Sequence, residues 1–347
     1  MKKIIFLLIL IFVFHSAFLY SQEYHTPEQI LLLLTNSNVT YSIELADSDD
    51  LEKSEVEPKL VQHGLYLVKD QEGHLLLNNY NNDYALDQDI SEDLQKAEKY
   101  FFKGYYDDAR EMYKEILDEM PHNSQMMTFI GQSYGIEKEY DKAEKWYKKA
   151  ISANYLDYMA HWFLADIYYI EEKYEKASDE ILIAHVLNKN NPRIIDKMNV
   201  ILKSNNLEYK DWKFEPECSI SEESEGKISL KLDKNEPEWM MYMLCKALWA
   251  YEPGYKESML ENTRELSRIV EEKECLTAMA MGHQNKNGDE PSKIEALKVY
   301  MKSLENGNAS EYILYEIIMK ENPLLPYMIE QKKINDIVKY LLQFRIE

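Results

Sequence analysis

Three consecutive stretches of equal length decide the fold of this chain. They read ISEDLQKAEKYFFKGYYDDAREMYKEILDEMPHN (residues 90–123), SQMMTFIGQSYGIEKEYDKAEKWYKKAISANYLD (residues 124–157) and YMAHWFLADIYYIEEKYEKASDEILIAHVLNKNN (residues 158–191). Aligned without a gap, they share residue classes in these columns: Ala97, Gly131 and Ala165; Tyr100, Tyr134 and Tyr168; Tyr106, Tyr140 and Tyr174; Ala109, Ala143 and Ala177; Tyr113, Tyr147 and Ile181; Ile116, Ala150 and Ala184. A fixed period of this kind indicates a repeat architecture.

The residue classes in these columns predict a stack of helix pairs. Small residues at two columns allow neighbouring helices to approach each other closely, and the tyrosines fill the spaces between them. One helix pair cannot bury its apolar face alone, so stacking supplies the core. The sequence therefore predicts three antiparallel helix pairs packed side by side.

At these columns the sequence resembles the tetratricopeptide repeat family, over residues 90 to 191. Pro121 stands where the closing proline of that family belongs, whereas Tyr155 and Lys189 stand there in the later repeats. The resemblance implies that the first helices of the pairs line a concave groove that binds a protein or peptide. Pro192 then begins a helix that is predicted to cap the stack. Its apolar face consists of Ile194, Ile195, Met198, Ile201 and Leu202.

The rest of the chain is predicted from hydrophobic periodicity and turn residues. Alternating residues predict strands at 39–45, 64–68 and 74–77, and again at 227–232. The fold class is therefore mainly α, with a tetratricopeptide-type helical hairpin stack, a small N-terminal α+β module and a helical C-terminal region. The predicted divisions are a signal peptide (1–21), the α+β module (22–89), three repeats with a capping helix (90–203), a linker with a β hairpin (204–237) and the helical region (238–347).

The first residues have the pattern of a secretion signal. Lys2 and Lys3 precede the apolar run Ile4–Phe14, and Gln22 is the predicted first mature residue. The residues Phe18–Gln22 resemble signal peptides of the Bacteroidota. We therefore expect an exported protein that is periplasmic, associated with the outer membrane, or secreted. An uncleaved anchor is the alternative, and membrane contact is expected only in that case.

Composition excludes several functional classes. The chain has 62 acidic and 40 basic residues and a formal net charge of −22. Nucleic acid is not an expected partner, because phosphate binding requires clustered Lys and Arg. No glycine-rich phosphate loop, H-E-x-x-H or C-x-x-C pattern is present. We therefore predict no cofactor, no metal and no specific small molecule. Three cysteines are too few for a disulfide scaffold, although one bridge is chemically feasible in an oxidising compartment.

Helical spacing places a set of aromatic and polar residues on the groove face. Exposed aromatic side chains beside carboxylates suit an apolar or basic protein or peptide. The positions that match the family's carboxylate clamp are Leu94, Glu98, Phe129, Met159 and Phe163, and none of them is basic. An acidic peptide terminus is therefore not an expected ligand. The predicted partner-binding residues are Phe101, Phe102, Thr128, Gln132, Met159, Trp162, Asp166 and Tyr169.

The function predicted from these observations is a non-enzymatic protein–protein interaction scaffold of the bacterial cell envelope. An enzyme with an unrecognised site in the C-terminal helices is the first alternative, with Glu252, Cys275 and His283 as candidates. The second alternative is internal architecture, in which the groove is occupied by the chain's own segments. His161, which lies in an apolar column, is predicted to be structural rather than catalytic.

Overall fold

The computed structural model describes residues 24–52, 59–70, 72–261, 263–288 and 290–347, with the backbone alone for residues 84–86. The predicted signal peptide lies outside the described residues. The chain forms two compact units. Among the described residues, the sheet unit comprises residues 24–52 and Trp212–Ile317, and the repeat unit comprises residues 59–211 and Ile318–Glu347.

The elements follow one another along the chain in this order. The strands are β1 (Thr40–Ala46), β2 (Leu65–Lys69), β3 (Leu75–Asn79), β4 (Cys218–Ser224) and β5 (Lys227–Asp233). The α-helices are α1 (Pro27–Thr35), α2 (Tyr80–Leu86), α3 (Gln88–Phe102), α4 (Tyr106–Glu119), α5 (Ser124–Ile136), α6 (Tyr140–Ala153), α7 (Tyr158–Ile170), α8 (Tyr174–Leu187), α9 (Pro192–Ser204), α10 (Met240–Tyr251), α11 (Tyr255–Leu260), α12 (Ser267–Asn287), α13 (Glu295–Glu305), α14 (Ala309–Tyr312), α15 (Met319–Glu321) and α16 (Gln331–Phe344). A π-helical segment, Ile313–Ile318, joins α14 to α15.

The repeat unit contains the three predicted helix pairs, α3–α4, α5–α6 and α7–α8, and each helix packs on its neighbours along the chain. The turn within each pair has a left-handed residue at the same repeat position. These residues are Gly104, Lys138 and Glu172, with φ of 83°, 63° and 60°. The left-handed conformation is unfavourable for a residue with a Cβ atom. The second and third turns therefore keep the geometry of the first at a cost in local conformational energy.

The small-residue columns are buried as predicted. Ala97, Ala109, Ala143, Ala165 and Ala177 are fully buried. At Gly131, an added Cβ atom would lie 2.6 Å from the Tyr147 ring, so close packing against α6 requires glycine there. The tyrosine columns behave less uniformly, since Tyr113 and Tyr147 are buried whereas Tyr100 is exposed.

The end of the stack is covered by two helices. The predicted capping helix α9 packs on α8, with Ile194, Met198, Ile201 and Leu202 fully buried. The C-terminal helix α16 also packs on α8. The structure therefore divides the predicted C-terminal region (238–347) between the units, since residues from Ile318 onward belong to the repeat unit. Helical periodicity alone does not reveal which neighbour an amphipathic helix will pack against.

The predicted N-terminal module (22–89) is also divided between the units. The predicted hairpin forms from β2 and β3, paired antiparallel, in the repeat unit. Strand β1 instead pairs in parallel with β5, in the sheet unit, and β5 pairs antiparallel with β4. The hairpin predicted within residues 204–237 is thus confirmed, as the other part of a three-stranded sheet.

In the sheet unit, α10 and α12 pack together and α1 packs on both. The sheet unit also contains the short helix α11 and the 21-residue helix α12. Within the described part of the chain, no helix is both long enough and apolar enough to cross a bilayer.

Candidate protein-binding groove

The first helices of the three repeats, α3, α5 and α7, carry the predicted partner-binding residues. Phe102, at the end of α3, is 83% exposed. Most of the other predicted residues are partly buried, so they form a surface with both a packed side and an open side. This partly buried group consists of Phe101, Gln132, Met159, Trp162, Asp166 and Tyr169.

Thr128 is the exception among the predicted residues. Its side chain is fully buried, and its hydroxyl donates a hydrogen bond of 2.9 Å to Oδ2 of Asp157. Asp157 caps α7 and accepts a second hydrogen bond from the Ala160 N–H. The prediction of Thr128 as a contact residue is therefore corrected, because its hydroxyl is used inside the stack to hold the cap of the next repeat.

The third repeat presents the aromatic part of the groove. The Trp162 ring lies 5.5 Å from the Phe163 ring. The indole N–H of Trp162 is buried and has no hydrogen-bond acceptor among the described residues. Tyr169, two turns further along α7, is partly exposed. An unsatisfied buried donor costs about 1–3 kcal/mol, so this part of the groove is not at its energetic optimum in the free chain.

The carboxylate of Asp166 is already paired within the chain. Lys197 on α9 places Nζ 2.8 Å from Oδ1 of Asp166 and 5.6 Å from the centre of the Tyr169 ring. Burial raises the pKa of Asp166, although the Lys197 ammonium acts in the opposite sense. The sequence analysis predicts Asp166 as a partner-binding residue, but in the structure its carboxylate already contacts Lys197. Lys197 was missed because α9 was assigned only a capping role.

The first repeat supplies the acidic part of the groove. Burial raises the pKa of Glu98, for which no ion pair is present among the described residues. Phe101 packs edge-on against both Phe102 and Tyr106, with ring centres 6.1 and 5.4 Å apart. A partly desolvated carboxylate beside an aromatic cluster favours a cationic or neutral ligand over an anionic one.

An exposed apolar column extends along one edge of the stack. Phe102, Ile136 and Ile170 occupy the same position, the last residue of the first helix in each repeat, and Ile136 and Ile170 are 48% and 51% exposed. Acidic residues occupy the first turn of the second helix in each pair, at Asp107, Asp141 and Glu175. We call the surface formed by this apolar column and this acidic column the open edge. Ile170 was absent from the predicted set, although a step of 34 residues from Phe102 and Ile136 would have found it.

The opposite edge of the stack, which carries the turns between repeats, is covered by residues 59–66 of the same chain. Asn188 holds Val61 through two hydrogen bonds of 3.2 Å, one from the Val61 N–H and one to its carbonyl. Asn154 donates a hydrogen bond of 2.7 Å to the Leu65 carbonyl. These two asparagines are one repeat length apart. We call this surface the closed edge.

A buried ion pair fixes the centre of the closed edge. His63 Nε2 lies 3.0 Å from Oδ1 of Asp157, and its ring packs against Phe129 and Tyr158. Burial by itself would raise the pKa of Asp157, but the His63 charge and the hydrogen bonds from His63, Ala160 and Thr128 hold it below its ordinary value.

The contacts of the covering segment lie at the start of the first helices. Gly64, with φ of 89°, comes so close to α5 that an added Cβ atom would lie 2.8 Å from Oε1 of Gln125. The ring contacts of His63 also fall in the second turn of α5, at Phe129, and in the first turn of α7, at Tyr158. The chain's own segment therefore occupies the edge of the groove beside the inter-repeat turns, which is part of what the internal-architecture alternative requires.

The candidates for an enzymatic site in the sheet unit have separate structural roles. Glu252 accepts hydrogen bonds from Ser37 and Tyr41, at 2.6 and 3.2 Å. His283 Nε2 lies 2.7 Å from the Glu290 carbonyl. Cys275 is fully buried, and burial raises the pKa of its thiol well above the ordinary range, which opposes thiolate chemistry.

His161 and the cysteines also have buried or structural environments rather than a shared site. His161 is buried between Glu180, at 2.6 Å, and the Tyr155 carbonyl, at 3.1 Å, and these contacts do not include Asp166. Cys218, Cys245 and Cys275 are free thiols, all in the sheet unit.

Comparisons with known proteins gave matches among solved structures. No family model and no curated protein matches the chain. The first tetratricopeptide domain of Spaghetti (RPAP3), bound to the HSP90 peptide SRMEEVD, is 24% identical, with a TM-score of 0.33; the match covers 34% of this chain and 94% of that one. The Yersinia enterocolitica chaperone SycD, in complex with a peptide of the translocator YopD, is 15% identical, with a TM-score of 0.32, over 34% and 96% of the two chains. MamA is 14% identical, with a TM-score of 0.31, over 70% and 96%.

The repeat unit itself identifies the type of repeat. Each of its three units pairs two helices of 13 to 15 residues, and small residues are buried at the same two positions in every pair. Residues 88–187 therefore form a tetratricopeptide-type repeat stack.

Proposed function

We propose that this chain is a non-enzymatic scaffold that is exported to the bacterial cell envelope and binds a partner protein in the groove of its repeat unit. The observation that carries the proposal is the aromatic surface of α7. There Trp162 has a buried N–H without an acceptor and Tyr169 is partly exposed. A partner that brings a carbonyl oxygen to the indole would satisfy this donor while covering aromatic surface.

Charge defines the chemistry of the proposed partner. Glu98 is partly desolvated without an ion pair among the described residues, and Asp141 and Glu175 on the open edge are exposed. The chain as a whole has a net charge of −22. An apolar segment with basic flanks complements this surface, whereas an acidic segment is repelled. Because Lys197 neutralises Asp166, the basic group of the partner is expected near the first repeat and the open edge.

The test is affinity capture from envelope extracts with the double variant Trp162→Ala, Tyr169→Ala. We expect capture of the specific partner to fall at least tenfold, because truncating central aromatic residues typically costs about 2 kcal/mol or more. Leu342→Ala is the matched control, since it removes an exposed apolar side chain from α16 rather than from α3, α5 or α7. Circular dichroism checks that helical content is unchanged.

Two results would contradict this proposal. One is unchanged capture by the folded double variant. The other is unfolding of the double variant together with unchanged capture by Phe102→Ala, whose side chain is too exposed to be required for folding. The proposed export is tested separately, by fractionating cells that express the chain with and without residues 1–21; loss of envelope localisation in the truncated form is expected.

A further inference from the structure

In the hairpin of the repeat unit, the outer edge of strand β2 has backbone groups that are only partly hydrogen-bonded. Strand β2 pairs antiparallel with β3, and Leu67 lies opposite Leu77. The backbone hydrogen bonds from Tyr80 to Gly64, at 3.0 Å, and from Asp70 to His74, at 2.9 Å, fix the phase of the ladder. The even-numbered residues of β2 therefore exchange hydrogen bonds with β3. The N–H and carbonyl groups of Leu65, Leu67 and Lys69 point to the other edge.

Within the described residues, only the first residue of that edge has a hydrogen-bond partner. Asn154 donates to the Leu65 carbonyl, much as a neighbouring strand would. The backbone groups of Leu67 and Lys69 have no hydrogen-bond partner among the residues that the structure describes. A strand edge with free backbone groups is a template for pairing with another extended chain.

Leu67 of this strand lines an open, mostly apolar cleft of about 870 Å³, and Asn154, which holds the Leu65 carbonyl, also lines it. The volume lies within the range of ordinary ligand sites, about 300–1,000 Å³. Leu75 and Met328 are 59% and 68% exposed on its rim. Its apolar lining includes Leu67, Leu75, Met120, Pro121, Met328 and Ile329. Glu330 is the one acidic side chain among the residues that line it.

We propose that this cleft binds an extended peptide segment of a partner protein, which pairs with β2 as a third strand and buries alternate apolar side chains in the cleft. The free backbone groups of Leu67 and Lys69 require a ligand with its own N–H and carbonyl groups at strand spacing. An extended chain supplies them, whereas a helix has used its own internally.

Charge restricts the ligand further. Glu330 is exposed at the rim of the cleft, and the chain is strongly acidic overall. The complementary segment therefore alternates apolar residues with basic ones, with the basic side chains directed toward the rim. This site is separate from the groove on α3, α5 and α7, so one can fail without the other.

The probe for this proposal is a short blocked peptide of alternating valine and lysine with a fluorescent label. The full chain should bind it, and the amide protons of Leu67 and Lys69 should become protected from hydrogen exchange in the complex. The same peptide with alternate backbone nitrogens methylated should not bind measurably, because it lacks the donors for the strand edge. Failure of the unmethylated peptide to bind, or equal binding of both peptides, would overturn the proposal.

Two variants locate the binding. Lys69→Pro removes one outward N–H from an exposed position that β3 does not use, and Glu330→Lys reverses the rim charge without touching the strand. We expect each to weaken binding about threefold to tenfold. Binding that is unchanged in Glu330→Lys but lost in Trp162→Ala, Tyr169→Ala would assign the peptide to the groove instead. A concentration-dependent dimer that Lys69→Pro abolishes would show that a second copy of the chain occupies the edge, and would also overturn the proposal.

Discussion

The two edges of the repeat stack differ in what covers them. At the closed edge, the chain's own residues 59–66 supply the contacts, with Asn154 and Asn188 holding an extended backbone and His63 neutralising the buried Asp157. At the open edge, Phe102, Ile136 and Ile170 repeat the same exposed apolar position without a covering segment among the described residues. The same helix pairs thus form one edge that is satisfied internally and one edge whose apolar residues remain in water.

This difference teaches which residues belong to folding and which to binding. Groups at the closed edge are buried and polar, so removing one leaves another without its partner. Groups at the open edge are apolar and solvated, so removing one changes little in the folded state. If the comparison holds, substitutions at the closed edge should lower stability, and substitutions at the open edge should weaken partner capture.

The largest effect is expected from His63→Ala. Removing His63 leaves the buried Asp157 carboxylate without its Nε2 partner, and we expect a loss of about 3–5 kcal/mol of unfolding free energy. Urea denaturation monitored by circular dichroism measures it. The matched control is His74→Ala, which removes a histidine whose ion pair with Asp70 is exposed; it should cost less than about 0.5 kcal/mol.

The same variant has a predicted pH dependence. In the native protein, the pKa of Asp157 is lowered, so its contribution to stability is present above the ordinary pKa of 3.8 and is lost as the pH falls below it. Without His63, the Asp157 carboxylate loses one of the interactions that lower its pKa, so the variant lacks part of this contribution. The deficit of His63→Ala should therefore shrink as the pH falls below about 4, where the contribution disappears in both proteins. A deficit that stays constant as the pH falls below about 4 would contradict the role assigned to His63.

An intermediate effect is expected from Asn188→Ala. The change leaves the N–H and the carbonyl of Val61 without partners, which should cost about 1–3 kcal/mol. Hydrogen exchange should show faster exchange in residues 59–65, while the helices of the stack keep their protection. Asn190→Ala serves as the control, because Asn190 makes one exposed hydrogen bond to the same segment, at Lys59. Equal effects of the two variants would remove the distinction between buried and exposed anchors.

The smallest effect on stability is expected at the open edge. Ile170→Ser should change the unfolding free energy by less than about 0.5 kcal/mol, because the side chain is already half exposed. It should nevertheless weaken partner capture, since apolar surface is lost from the proposed interface. A loss of several kcal/mol would show that Ile170 is part of the core and that the two edges are not different in kind.

The sequence predicted the parts of the fold that depend on local periodicity. The three helix pairs, the buried columns through Ala97 and Ala109, and the two hairpins follow from patterns within a few tens of residues. Pairings between distant segments could not be predicted in this way. An alternating strand such as β1 does not specify that its partner is β5, almost 190 residues away.

The predicted contact residues lie on α3, α5 and α7, but the sequence did not specify the surroundings of each side chain. Periodicity placed Thr128 on the groove face, but the requirement to satisfy the buried Asp157 turned its hydroxyl inward. The pairing of Asp166 with Lys197 depends on the angle between α7 and α9, which side-chain spacing does not encode. The covering of the closed edge by residues 59–66 was missed because nothing in that short segment identifies its docking site.

Site-specific photo-crosslinking in living cells tests the central claim most directly. A photoreactive phenylalanine analogue is introduced at Phe102, at Tyr169 and, as the reference, at the exposed Leu266 of the sheet unit. The account predicts that one and the same partner protein is crosslinked from Phe102 and from Tyr169, but not from Leu266. Crosslinks from Leu266 to that partner, or none from either groove position, would contradict it.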